Sequence, residues 1–135
     1  MIHKRRTRDE VAVLVIEDDL DARRIYSEYL RTKGWTVFTA PEGRTGLDKI
    51  IELTPDIVVL DLAMPKVDGW TVLKHVRESS LTAQTPVVVV SAVKDSRDEA
   101  LAAGCDAYLE KPCSPDVVYL QVRALLRLRD AAMPA

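Results

Sequence analysis

Cysteine is nearly absent from this chain. Cys105 and Cys113 are the only two in 135 residues, and they do not form a Cys-x-x-Cys pair. That usage excludes a disulfide scaffold and a cysteine zinc site, and it points to the reducing cytoplasm. No apolar run approaches the ~20 residues that a membrane span requires. Neither charge dominates: 19 Lys and Arg against 21 Asp and Glu leave a net charge of −2. A chain that wraps nucleic acid or lies on a membrane surface needs a marked basic excess, so direct nucleic-acid and membrane binding are not expected. The opening MIHKRRTRDE has a basic cluster with no apolar core behind it, unlike a signal peptide. Residues 1–9 are expected to form a basic tail. Repeats, low-complexity segments and an internal linker are also missing.

What remains is ordinary globular material, 47% hydrophobic and 30% charged. The length fits one domain, and a domain of this size buries roughly two-thirds of its unfolded surface. Five short apolar runs punctuate it: Val11–Ile16, Trp35–Thr39, Asp56–Leu60, Pro86–Val90 and Asp106–Leu109. VAVLVI, DIVVL and PVVVV are nearly continuous and rich in β-branched residues. Strands covered by helices on both faces read this way.

Helical spacing fills the gaps. Ala22, Ile25, Tyr26, Tyr29 and Leu30 precede Gly34, a candidate stop. Leu47, Ile50, Ile51 and Leu53 mark a second helix, and Trp70, Leu73 and Val76 a third. Ala100, Leu101 and Ala103 mark a shorter fourth, ending at Gly104. A fifth follows Pro115 and carries Val118, Leu120, Val122, Leu125, Leu126 and Leu128 to an end near Arg129. The order is (βα)5. Right-handed crossovers then give a doubly wound parallel α/β sheet, with its functional site outside the carboxyl ends of the strands.

Chemistry collects at those ends. The first strand runs into Glu17-Asp18-Asp19, the third into Asp61, the fourth into Ser91, and the fifth into Lys111-Pro112. Taken singly, each has a plain structural explanation. Asp19 or Asp21 caps the first helix, Asp61 is a turn residue, Ser91 is a cap and Lys111 is a solvated charge. Taken together, crowded carboxylates call for a hard divalent cation, and magnesium is satisfied by one or two carboxylates with water and a phosphoryl oxygen. A hydroxyl and an ammonium beside them suit the other phosphoryl oxygens. A carboxylate such as Asp61 can itself accept the phosphoryl group. The rim suggests metal-assisted phosphoryl transfer onto an aspartate.

Four ordered pieces carry a resemblance: VLVIEDD, DLAMPKVDGW, VVVVSA and AGCDAYLEKP. The chain resembles the receiver domain of two-component response regulators over roughly residues 10 to 128. The domain is expected over 10–129, with 130–135 a short tail. The resemblance implies a flavodoxin-like five-stranded sheet in the order 2-1-3-4-5. It implies that Asp61 is the phosphoacceptor and that Lys111 and Ser91 bind phosphoryl oxygens. It further implies Mg2+ held by Asp18, Asp61 and the Ala63 backbone carbonyl, with Glu17 completing the acidic pair directly or through water. Ser91 and Tyr108 match the switch pair, and Lys111-Pro112 a cis peptide. Implied partners are a histidine kinase or histidine phosphotransfer protein, and a downstream protein target or covalently linked output domain. Whether the receiver stands alone or belongs to a larger regulator or hybrid kinase is open.

Ala63 and Val93 occupy the two variable positions beside the acceptor, and neither carries a polar group. Cys113 is expected to be a small packing residue, and Trp70 core packing on the third helix. Asp21, Ala22, Ile25 and Tyr29 are candidates for the outer face of the first helix, with Ile25 equally readable as core. Three rivals are weaker. An aspartate-nucleophile phosphohydrolase would place a second aspartate at position 63, where Ala63 stands. A flavin module would not put Glu17-Asp18-Asp19 against a flavin phosphate. A degenerate receiver would not keep Glu17, Asp18, Asp61, Ser91 and Lys111 together. The expected function is a phosphorylation-dependent signalling switch rather than an enzyme.

Overall fold

The computed structural model describes residues 10–132. The expected basic tail, 1–9, lies outside them. Elements alternate as β1 (Ala12–Ile16), α1 (Leu20–Arg31), β2 (Thr36–Ala40), α2 (Gly43–Leu53), β3 (Ile57–Leu60), α3 (Gly69–Glu78), β4 (Val87–Ser91), α4 (Arg97–Ala102), β5 (Ala107–Glu110) and α5 (Pro115–Ala132). All pairings are parallel, and the strand order is the expected 2-1-3-4-5.

The continuous apolar runs have the cause the sequence suggested. Leu14, Ile16, Val58, Leu60, Val87 and Val89 face one layer, where Ile50 of α2, Val72, Leu73 and Val76 of α3 and Ala100 of α4 cover them. Val13, Val15, Ile57, Val59, Val88 and Val90 face the other, beneath Tyr26 and Leu30 of α1 and Val118, Val122 and Leu126 of α5. Alternate side chains point to opposite faces, so each central strand must be apolar at every position. Each such side chain contributes about 1.5–3 kcal/mol by leaving water.

Local signals set the helix ends. Asp19, rather than Asp21, caps α1, its carboxylate accepting from the Ala22 amide at 2.8 Å. Such a cap is worth about 1 kcal/mol. The chain leaves α1 through Gly34, whose φ of 88° suits a residue without Cβ. Asp68 caps α3, accepting from the Thr71 amide at 2.9 Å. α5 runs to Ala132, so 130–132 are helical rather than part of the expected tail. Arg129 lies inside the helix, bonded to the Asp56 carboxylate at 3.0 Å, and Asp130 and the two alanines after it do not interrupt the pattern. On α5, Leu120 and Leu128 face outward.

The free edge of β2 is occupied. Ala40 turns its carbonyl, and Thr36 its amide, toward β1. By alternation the carbonyls of Val37 and Thr39 face away. Arg31 of α1 donates to Val37 at 2.8 Å, and Lys49 of α2 donates to Thr39.

Gly69 sets how closely α3 approaches the end of β3. A Cβ there would stand 2.2 Å from the Asp61 carbonyl oxygen and 2.5 Å from Leu62 Cα. Both are backbone atoms and cannot swing aside. Gly69→Ala is therefore expected to cost about 1–3 kcal/mol, as overpacking commonly does. Urea unfolding checks this; an unchanged midpoint would show that the approach is slack.

Candidate functional site

The site lies at the carboxyl ends of β1, β3, β4 and β5, around the point where the chain order reverses between β1 and β3. Glu17 and Asp61 are buried although charged in type, and Asp18 is exposed beside them. Oxygens of Glu17, Asp18 and Asp61 all lie within 4.8 Å of one another. Lys111 reaches into this group from beyond β5. Its ammonium contacts Glu17 Oε1 and stands 3.7 Å from Asp61 Oδ2. Lys111-Pro112 is cis, as expected. The Ala63 amide donates to Asp61 Oδ1 at 3.2 Å, so the turn after β3 folds back over its own carboxylate.

One ammonium faces two buried carboxylates, and the charges do not balance. Burial raises the Glu17 carboxyl to about 8, its hydrogen bond and charge contact with Asp61 push the same way, and Lys111 opposes them. For Lys111, burial works against the charged form. The Glu17 hydrogen bond and the two carboxylates outweigh burial and hold the ammonium above its ordinary value. The rim therefore keeps a proton near neutral pH that a cation can replace. Three hard oxygen donors, one of them exposed, fit a magnesium-sized ion that retains several waters.

Ser91 ends β4 fully buried, its hydroxyl accepting from the Val93 amide at 3.1 Å. Its own proton is left as a donor. Tyr108 points inward at 7% exposure. Its hydroxyl donates to the Val93 carbonyl at 2.7 Å and lies 2.6 Å from Ser96 Oγ, itself 3.0 Å from the same carbonyl. Two hydroxyl protons thus serve three contacts. No spacing in the sequence marks Ser96. It stands at the cap position of α4 without capping it, because its hydroxyl is committed to Tyr108 and Val93. Val93 and Ala63 are exposed at the rim and apolar.

Two more supports escaped the sequence. Arg23 of α1 donates to the Glu17 carbonyl at 2.9 Å. The buried Tyr26, expected only as an apolar helix position, donates through its hydroxyl to the Cys113 carbonyl at 3.0 Å. Helical spacing shows which face each occupies, but not that its polar end meets a loop 87 residues away. Of the candidates on α1, Ile25 is 52% exposed, which decides against the core reading, and Leu20 joins it at 50%. Ala22 is partly buried against the core. Tyr29 packs edge-on against Tyr119 of α5, their centroids 6.3 Å apart, so it belongs to the α1–α5 seam. Cys113 is half-buried against that same layer, and Trp70 packs on the α2–α3 layer.

The chain is similar to known proteins. The family model described as Response regulator receiver domain matches residues 13–123. The DNA-binding dual master transcriptional regulator RpaA of Synechocystis is 37% identical over 120 residues, which span 87% of this chain and 50% of that protein. The receiver domain of Francisella response regulator 1452 superposes with a TM-score of 0.82 at 30% identity, covering 89% of this chain and 99% of that one. Chemotaxis protein CheY4 of Vibrio cholerae does so with a TM-score of 0.79 at 27% identity, covering 85% and 98%. The chain spans about half the length of the curated relatives it matches. Among the described residues no helix is long and apolar enough to cross a membrane.

The raised Glu17 carboxyl sets a pH dependence for cation binding. Below about 8 an ion must displace the proton, and above it the site is already ionised. Apparent Mg2+ affinity is expected to rise up to about tenfold per pH unit below that value and to level off above it. Glu17→Gln should flatten the rise. Calorimetric titration in buffers of different ionisation enthalpy measures the released proton; an affinity independent of pH from roughly 6 to 8 would contradict the assignment.

Proposed function

The chain belongs to the response regulator receiver domain family, and from that premise we propose that Asp61 is its phosphoacceptor and that Lys111 and Ser91 hold the incoming phosphoryl group. A receiver of this family is a signalling module rather than an enzyme. The observation that carries the residue assignment is the cluster itself. The oxygens of Glu17, Asp18 and Asp61 lie within 4.8 Å of one another, and Lys111 Nζ stands 3.7 Å from Asp61.

An oxygen of Asp61 attacks the phosphorus of a phosphohistidine or a small phosphoryl donor. The new P–O bond forms as the bond to the leaving nitrogen breaks, and that nitrogen takes up a proton. Lys111 shifts its ammonium toward the transferred oxygens, and Ser91 donates its hydroxyl proton to one of them. Asp18, Asp61 and the Ala63 carbonyl would hold Mg2+, with Glu17 beside them. Bound there, Mg2+ supplies positive charge against the phosphoryl oxygens. When Ser91 turns toward the phosphoryl group its contact with the Val93 amide is lost. The Val93–Ser96 turn and Tyr108 are then free to repack, which makes them the bistable element.

The donor is a histidine kinase or a histidine phosphotransfer protein. Leu20 and Ile25, apolar and half-exposed beside the acidic pair, support α1 as the surface it meets, through helix-on-helix contact. The receiver acts on a downstream protein or a covalently linked output domain, as the half-length match to transcriptional regulators suggests. The two free cysteines are in keeping with the cytoplasm.

Phosphoramidate with Mg2+ is expected to add one phosphoryl group to the parent protein and none to Asp61→Asn. Intact-protein mass spectrometry reads the result, and stoichiometric labelling of the Asn variant would overturn the acceptor assignment.

Hydrolysis of the phosphorylated state needs a water aligned opposite the Asp61–phosphorus bond, and Ala63 and Val93 offer it no hydrogen bond. The Ala63→Asn/Val93→Glu variant is expected to lose its phosphoryl group roughly 10-fold faster, a small part of what positioning a nucleophile is worth. Decay is followed after donor removal at fixed Mg2+; an equal or slower rate in the variant would assign control of the water elsewhere.

A further inference from the structure

Lys111 sits on a short bridge, Lys111-Pro112-Cys113-Ser114, between the end of β5 and the start of α5. One end is tied by the Lys111 amide, which donates to the Ser91 carbonyl at 2.9 Å. The other is tied by Tyr26 of α1, whose hydroxyl donates to the Cys113 carbonyl at 3.0 Å. Tyr26 is 6% exposed. Burial raises its phenol above the ordinary value, so it remains a protonated donor through the physiological range.

Three residues earlier on the same helix, Arg23 donates to the carbonyl of Glu17 at 2.9 Å. Residues three apart share a helix face. A single face of α1 thus contacts the backbone on both sides of the Glu17–Lys111 contact, at Glu17 through Arg23 and at Cys113 through Tyr26.

We propose that Tyr26 is a positioning residue for phosphoryl transfer: its hydroxyl fixes the Lys111 bridge against α1 and so places the Lys111 ammonium at the acceptor. The proposal rests on Asp61 and Lys111 having the roles assigned above. Tyr26 touches neither donor nor acceptor and acts only through the bridge.

Tyr26→Phe keeps the ring and its packing and removes the one bond. The full chain is phosphorylated with phosphoramidate across a range of Mg2+ concentrations. The maximal rate is expected to fall roughly 3- to 10-fold, the loss one neutral hydrogen bond commands. The half-saturating Mg2+ concentration should stay within about twofold, since Tyr26 contacts no carboxylate. A variant damaged in its general structure would move both. In a Lys111→Arg background the same Tyr26→Phe change should have little further effect, because residues acting through one another are not additive. The amide nitrogen of Ser114, which shares the Cys113 peptide group, should shift in the NMR spectrum of Tyr26→Phe. An unchanged maximal rate, an undiminished effect in the Lys111→Arg background, or an unmoved Ser114 resonance would each overturn the positioning role. If instead Asp61→Asn were still labelled, it is the acceptor assignment that would fall.

Discussion

The structure turns on a shortage of positive charge. Glu17 and Asp61 are both withdrawn from water, and one ammonium, Lys111, stands against the two of them. A buried carboxylate without a partner is costly, so the rim carries a deficit that a proton meets in part and a divalent cation meets better. Much of the surrounding architecture holds these groups in that uneasy proximity. Arg23 braces the acidic loop, and Tyr26 braces the lysine bridge. Gly69 lets α3 close against the peptide of Asp61. Among the described residues no buried side-chain nitrogen or oxygen lacks a hydrogen-bond partner, so the imbalance is one of charge rather than of unmade bonds.

The second organising feature is the turn after β4. Ser91, Val93, Ser96 and Tyr108 form one chain of polar contacts running from the rim to the layer under α4. Around the Val93 carbonyl, Ser96 and Tyr108 have two hydroxyl protons for three contacts, so moving one hydroxyl redistributes the rest. α4, at six residues, is the shortest helix of the fold and has no side-chain cap. That leaves it little cooperativity of its own with which to resist such a redistribution.

How much of this is legible in the sequence depends on whether a residue announces itself through periodicity. VAVLVI, DIVVL and PVVVV do, because strands covered on both faces admit no polar interruption; each lies within one residue of its observed strand. Glu17, Asp18, Asp61, Ser91 and Lys111 announce themselves by falling just after those runs, and the fold brings them to one rim. Ser96, Arg23 and the Tyr26 hydroxyl do not. Each makes its decisive bond with a single distant or irregular backbone group, and no spacing rule encodes that choice. The sequence spacing ends α5 near Arg129 because Asp130, Ala131 and Ala132 add no large apolar side chain to the periodic face, although the helix continues through them to Ala132. The ion pair between Arg129 and Asp56, which ties that last turn to the base of β3, is visible only in three dimensions.

The cations laid over the outer carbonyls of β2 have a consequence for how this protein is read by others. With Arg31 on Val37 and Lys49 on Thr39, two outward carbonyls of the strand are already taken, which discourages a neighbouring strand from pairing there. That shifts contact along that margin toward side chains carried by helices and turns and away from backbone pairing. Side chains on a helix surface can be exchanged one at a time at little cost to stability. Helix-surface side chains there can therefore change while the sheet and its acidic rim stay as they are.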